Sequence, residues 1–158
     1  MNSQAFHVLV VCTGNICRSP MAEGLLKHLL RGELRTRVTV SSAGTQALHG
    51  DRAQPFAIAT MHNRGLDISG HRARLLGPGL IRAADLIVVM EPQHARVIRR
   101  TVLTVGSNVR LLSRFGTDPD LKAIPDPMGA PLTVYQACAD MMQPCIQGLL
   151  GWIEKNWM

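Results

Sequence analysis

Residues 6–20 constrain the fold of this chain more than any other stretch. Phe6 to Cys12 is a short apolar, β-branched run that stops at Thr13-Gly14-Asn15, the pattern of a strand buried on both faces and closed by a turn. Ser19-Pro20 then supplies an expected N-cap and first helical residue. Ala22, Leu25, Leu26, Leu29 and Leu30 follow as a helical apolar face. A strand feeding directly into a helix in this way is the opening unit of a parallel sheet with helices packed over it.

The rest of the chain repeats that alternation. Strands are expected at 37–41, 86–90 and 109–112, and helices at 55–64, closed by Gly65, at 92–103, and from about residue 132 to the end. Residues 44–51 and 71–79 read as irregular. Residues 116–131 carry Asp118-Pro119, Pro125-Asp126-Pro127 and Gly129, a long loop of the kind that often bears function. With right-handed crossovers these elements predict an α/β fold: a single-domain, doubly wound, four-stranded parallel sheet with helices on both faces. Residues 1–158 form one expected domain, with no repeat or internal boundary. In such sheets ligands bind beyond the carboxyl ends of the strands, so the turn after the first strand and the loop after the fourth share one rim.

Composition narrows the function. Of the 158 residues, 46% are hydrophobic and 18% charged, which excludes a disordered or fibrous chain. The longest apolar runs are about five residues against the roughly 20 that span a bilayer, so no membrane span is expected. Residues 1–6 lack the basic start of a secretory leader, and the expected location is the cytoplasm. Seventeen basic and eleven acidic residues leave a charge of +6, and fourteen of the seventeen are arginine. Arginine favours planar, two-pronged contacts to phosphates or carboxylates. The basic residues are dispersed and stacking aromatics are few, so an anionic substrate is expected and nucleic acid is not. Cys12, Cys17, Cys138 and Cys145 do not have the spacing of zinc knuckles, and no metal is expected. Cys138 and Cys145, seven apart on a helix, have core spacing.

The turn at 12–20 reads Cys-Thr-Gly-Asn-Ile-Cys-Arg-Ser-Pro. A turn entering a helix aims unpaired backbone N–H groups at one point, and the helix dipole adds positive character there. A phosphate-sized anion fits such a nest. Arg18 adds a guanidinium fork, and Cys12 lies at the strand end beneath the nest. Cysteines beside cations at helix N-termini are readily held as thiolates, the nucleophilic form.

Cys12, five residues, Arg18 and Ser19 together match the signature of the low-molecular-weight protein tyrosine phosphatases, which this sequence resembles. Ser41-Ser42-Ala43-Gly44, His71-Arg72-Ala73-Arg74, Asp85-Leu86-Ile87, Ile124-Pro125-Asp126-Pro127 and Val134-Tyr135 are similar to later landmarks of that family, in order. The resemblance implies a metal-independent, cofactor-free phosphatase that hydrolyses phosphotyrosine through a phosphocysteine. It implies Cys12 as nucleophile, Arg18 as phosphate clamp and Asp126 as general acid, with phosphate bound by the loop residues Thr13, Gly14, Asn15, Ile16, Cys17, Arg18 and Ser19. Asp118, also followed by proline, has the same local chemistry, and the resemblance selects Asp126. The resemblance implies that Ser19 hydrogen-bonds the Cys12 thiolate, and Ser19, Asn15, Ser42 and His71 correspond to the network supporting the loop. Cys17 corresponds to a second cysteine that captures an oxidised nucleophile as a reversible disulfide.

Met128 stands where many family members carry an aromatic residue, and offers an apolar, polarisable contact to substrate. Leu48 and His49 are expected opposite it as a second wall, from loop position alone. The short link after Asp126 resembles a bacterial branch that includes protein-arginine phosphatases. Those carry Thr at the position of Ile16, and Ile is similar to the tyrosine type. Thioredoxin-coupled arsenate reductases share the loop but place a cysteine pair after the third strand, where Met90-Glu91-Pro92-Gln93-His94 has none. A non-catalytic phosphate-binding module is the remaining alternative. Implied partners are phosphotyrosine-containing proteins, among bacterial relatives the tyrosine kinases of exopolysaccharide assembly.

Overall fold

The four strands of this protein, seen in a computed structural model that describes residues 4–158, are β1 (Phe6–Cys12), β2 (Val38–Gly44), β3 (Leu86–Val89) and β4 (Val109–Leu111). They form one parallel sheet in the order β2-β1-β3-β4. The helices are α1 (Arg18–Leu29), α2 (Gly32–Arg37), α3 (Pro55–His62), α4 (Pro78–Ala83), α5 (Pro92–Thr101) and α6 (Leu132–Trp157), with a 3-10 turn at Leu112–Phe115. Residues 1–3 lie outside the described residues, and with them part of the expectations for 1–6 and for a domain spanning 1–158. Among the described residues no helix is long and apolar enough to cross a membrane.

Side-chain alternation along β1 divides the core. Val8, Val10 and Cys12 point into a cluster with Met21, Leu25 and Leu26 of α1 and Tyr135, Met142 and Ile146 of α6. Leu9 and Val11 point the other way, against Ile81 of α4 and Ala95 and Ile98 of α5. Both faces of β1 are therefore covered, which is why its sequence is apolar from Val8 to Cys12. The chain leaves β1 for β2 on one side and returns to β3 on the other. The carboxyl ends of β1 and β3 therefore flank a crevice where the sheet order reverses. Cys12 ends β1 at that point.

Several expectations needed correction. Ser19 is not the N-cap: α1 begins at Arg18, Cys17 occupies the cap position, and no side chain caps the helix. The Ser19 hydroxyl is engaged at the Cys12 sulfur instead. β2 extends to Gly44, three residues beyond its expected end. Helices α2 and α4 were not expected. Each has six residues and buries a single side chain, Leu34 and Ile81, so neither shows a readable period. Gly65 has the left-handed backbone its position after α3 suggested, with φ 79°.

Candidate active site

The loop after β1 is turned inside out by its neighbours. The carbonyl of Cys12 accepts from Thr45 N–H, that of Thr13 from Gln46, that of Ile16 from Gln54, and that of Cys17 from Met21. The Asn15 carbonyl accepts from His71 Nε2 at 2.6 Å. With these carbonyls committed outward, the N–H groups of Thr13, Gly14, Ile16, Cys17, Arg18 and Ser19 donate to no protein acceptor among the described residues. Cys17, Arg18 and Ser19 are buried, where N–H groups are seldom left unpaired, and the cluster of six marks a place built for an anion. The first turn of α1, uncapped, contributes its dipole to the same point.

Asn15 holds the loop in shape. Its φ of 56° is the only positive value at a non-glycine residue among the described residues, and Asn tolerates that region better than most side chains. Its side chain is fully engaged: Nδ2 donates to Ser19 Oγ at 2.8 Å and to Ser42 Oγ at 2.9 Å, and Oδ1 accepts from Arg74 N–H at 3.0 Å. Each hydroxyl, having accepted from Asn15, passes its own proton onward. Ser42 donates to Glu23 Oε1 at 2.6 Å, and Ser19 points its proton at Cys12 Sγ, 2.9 Å away. Asn15 N–H also donates to that sulfur, at 3.3 Å. Two donors thus converge on a buried sulfur, an arrangement suited to an anion.

Arg18 is 1% exposed, and its guanidinium is fixed from behind. Nη1 donates to the Ile124 carbonyl at 2.8 Å and pairs with Glu91 Oε2 at 3.0 Å, while Nη2 lies 3.6 Å from Asp126 Oδ2. Asp126 is steadied in turn by Met128 N–H, which donates to Oδ1 at 3.1 Å. Cys12, Thr13, Gly14, Ile16, Cys17, Arg18, Asp126 and Met128 line one cavity of about 170 Å³. Asp118 is outside it, exposed, with its carboxylate accepting from Asp120 N–H. Leu48 and His49 are also outside the lining, and Leu48 is 71% exposed.

Sequence reasoning passed over Glu91, His94 and Gly44. Glu91 N–H donates to His94 Nδ1 at 3.1 Å, so the ring proton is on Nε2 and goes to Thr13 Oγ1, 2.8 Å away. Burial, reinforced by the Arg18 charge, lowers the His94 pKa to about 4, which keeps the ring neutral and that tautomer in place. The available signal was an acid followed by proline directly after the third strand, on the rim where ligands bind. Gly44 presses against the loop: a Cβ there would lie 2.5 Å from the Thr13 carbonyl oxygen and 2.9 Å from Asn15 N. Cys17 faces Tyr135 Oη at 3.5 Å and Met128 Sδ at 3.8 Å, and burial pushes its thiol up to about 11. Cys138 is a core residue, as its spacing suggested, with its thiol pushed up to about 12 by burial.

Comparison with known proteins places these features in context. The family model described as low molecular weight phosphotyrosine protein phosphatase matches residues 7–157. A probable low molecular weight protein-tyrosine-phosphatase, EpsP of Ralstonia nicotianae, is 40% identical over 149 residues, 94% of each chain. The solved tyrosine phosphatase Wzb from Escherichia coli K30, in complex with sulphate, is 34% identical with a TM-score of 0.79, covering 96% of this chain and 99% of its own. The YwlE arginine phosphatase from Geobacillus stearothermophilus is 30% identical with a TM-score of 0.85, over 96% and 94%.

Proposed function

This chain belongs to the low molecular weight phosphotyrosine protein phosphatase family, and from that premise we propose that it hydrolyses phosphotyrosine in proteins through a phosphorylated Cys12. The observation that carries the reading is the set of six unpaired loop N–H groups and one buried guanidinium at the cavity that Cys12 lines, with two donors on its sulfur.

In the first step the Cys12 thiolate attacks phosphorus in line, forming S–P as the P–O bond to the tyrosyl oxygen breaks. Asp126, on the cavity wall opposite the loop, gives its proton to the departing phenolate. The loop N–H groups and Arg18 hold the three equatorial oxygens. Glu91 and the Ile124 carbonyl fix the guanidinium beforehand, so charge is stabilised without rearrangement. In the second step water attacks phosphorus, S–P breaks, and the Asp126 carboxylate takes the water's proton. No step requires a metal.

Ile16 and Met128 give the cavity apolar walls suited to a phenyl ring. The likeness to an arginine phosphatase makes phosphoarginine the second reading. The substrate we propose is a phosphotyrosine-bearing protein in the cytoplasm, with a tyrosine kinase of exopolysaccharide assembly as the candidate that the family resemblance offers. Cys17, a protonated thiol beside the nucleophile, is proposed to condense with a Cys12 sulfenic acid, releasing water and forming a disulfide that thiols reduce. Peroxide-treated Cys17→Ser should then recover less activity in thiol than wild type, and equal recovery excludes the role.

The deciding assay presents phosphotyrosine, phosphoarginine and phosphoserine peptides with EDTA present. Phosphotyrosine turnover that survives EDTA and vanishes in Cys12→Ser supports the reading. Preferential phosphoarginine turnover replaces it with the second.

A further inference from the structure

A basic groove lies along the β4 edge of the sheet. Arg96 and Arg99 of α5, Arg110 of β4 and Arg114 of the 3-10 turn line a cavity of about 540 Å³, together with apolar Pro92, Val109, Leu111 and Trp152. No acidic residue lines it. Among the described residues none of these four arginines takes part in an ion pair, whereas Arg18, Arg37 and Arg64 all do. Four of the fourteen arginines of a +6 chain therefore converge without a counter-charge.

The groove is also partly organised. The Arg110 guanidinium lies over the Trp152 ring, 5.0 Å from its centroid, and Trp152 meets Phe115 edge-on at 5.9 Å. A guanidinium held on an aromatic face loses less freedom when it grips a phosphate. Short edge strands are often flanked by charge to block pairing with other chains. That role needs neither a concave pocket nor arginines gathered from three separate elements.

Its position relates it to the catalytic cavity. Pro92 of the groove directly follows Glu91, the partner of Arg18. Only β3 separates β4, which lines the groove, from β1, whose end carries Cys12, so the two strands lie about 10 Å apart. An extended peptide covers such a distance in roughly three to five residues. We propose that this groove binds a second phosphotyrosine of the same substrate polypeptide, its phosphate on the arginines and its ring on the apolar floor. The proposal rests on the phosphotyrosine phosphatase reading and adds to it a preference for multiply phosphorylated substrates.

The test compares kcat/KM for a singly phosphorylated peptide with that for the same peptide carrying a second phosphotyrosine four residues away, with p-nitrophenyl phosphate as control. Wild type should favour the double peptide by about tenfold, through KM, because remote contacts made equally in ground and transition states do not alter kcat. Arg110→Gln/Arg114→Gln should abolish that preference and leave p-nitrophenyl phosphate turnover unchanged. If the control also falls, Arg96→Gln/Arg114→Gln, which leaves the Trp152 contact intact, decides instead. Equal kcat/KM for the two peptides in wild type, or a preference that survives both variants, overturns the proposal. So does capture of wild type, but not of the variants, by phosphatidylserine vesicles when the peptides show no preference, since the groove is then a lipid site. Failure of wild type to hydrolyse any phosphotyrosine peptide is a different result, and strikes the family reading itself.

Discussion

Asn15 decides the chemistry at the scale of single residues, because one residue with a left-handed backbone orders two hydroxyl groups and sets the direction of their protons. The sulfur at the end of that relay needs an acid across the cavity only when the leaving group is poor. Asp126→Asn is therefore expected to lower kcat/KM, which reports phosphoryl transfer to Cys12, by about 10²- to 10⁴-fold for phosphotyrosine and far less for p-nitrophenyl phosphate, whose leaving group departs unprotonated. Equal losses on both substrates would show that Asp126 positions rather than protonates. The residues legible from sequence were those in the contiguous motif, Cys12 to Ser19, together with Asp126, Ser42 and His71 through resemblance. Glu91 and His94 escaped because they reach the loop from more than 70 positions away, through strand order that no local pattern encodes. Local pattern reads Ser19 as a helix cap, whereas the resemblance gives its hydroxyl to the nucleophile; the hydroxyl lies at the Cys12 sulfur, which competes with the helix end.

The element that matters most is the turn between β1 and α1, whose carbonyls are drawn outward by the 45–54 segment, His71 and α1 itself. The end of β2 is packed against this turn so closely that only glycine fits. Gly44→Ala should push the Thr13 carbonyl and lower kcat/KM by at least tenfold, while the backbone conformation at residue 44 itself demands no glycine. Undiminished kcat/KM in a folded Gly44→Ala variant would show that the loop tolerates displacement. Long buried elements were legible for a physical reason: β1 from Val8 onward and β3 are covered on both faces and read as unbroken apolar runs, and α6 is long enough to show its period. Six-residue helices such as α2 and α4 owe their form to packing at one side chain and to their neighbours, so their sequences carry little sign of it.

For the molecule as a whole, placing the site at the reversal of strand order puts a neutral histidine beneath it, with consequences for stability. His94 has a pKa of about 4 in the folded protein against 6.5 for a free histidine, and burial, aided by Arg74, lowers that of His7 as well. The unfolded chain then binds more protons than the folded one between these values. The His94 contribution to stability is complete above about pH 6.5 and is lost as pH falls towards about 4, and His7 acts in the same direction. The thermal midpoint should drop through that window, and His94→Asn should flatten the slope; an unchanged slope would mean that the ring is already charged. Every element of the account nonetheless converges on one covalent bond. Asp126→Asn mixed with p-nitrophenyl phosphate should form the phosphoenzyme and release it slowly, because no base activates water. Rapid acid quench and peptide mass spectrometry are expected to find the phosphoryl group on Cys12 alone. Its presence on another side chain, or continued turnover by Cys12→Ser, would contradict the account.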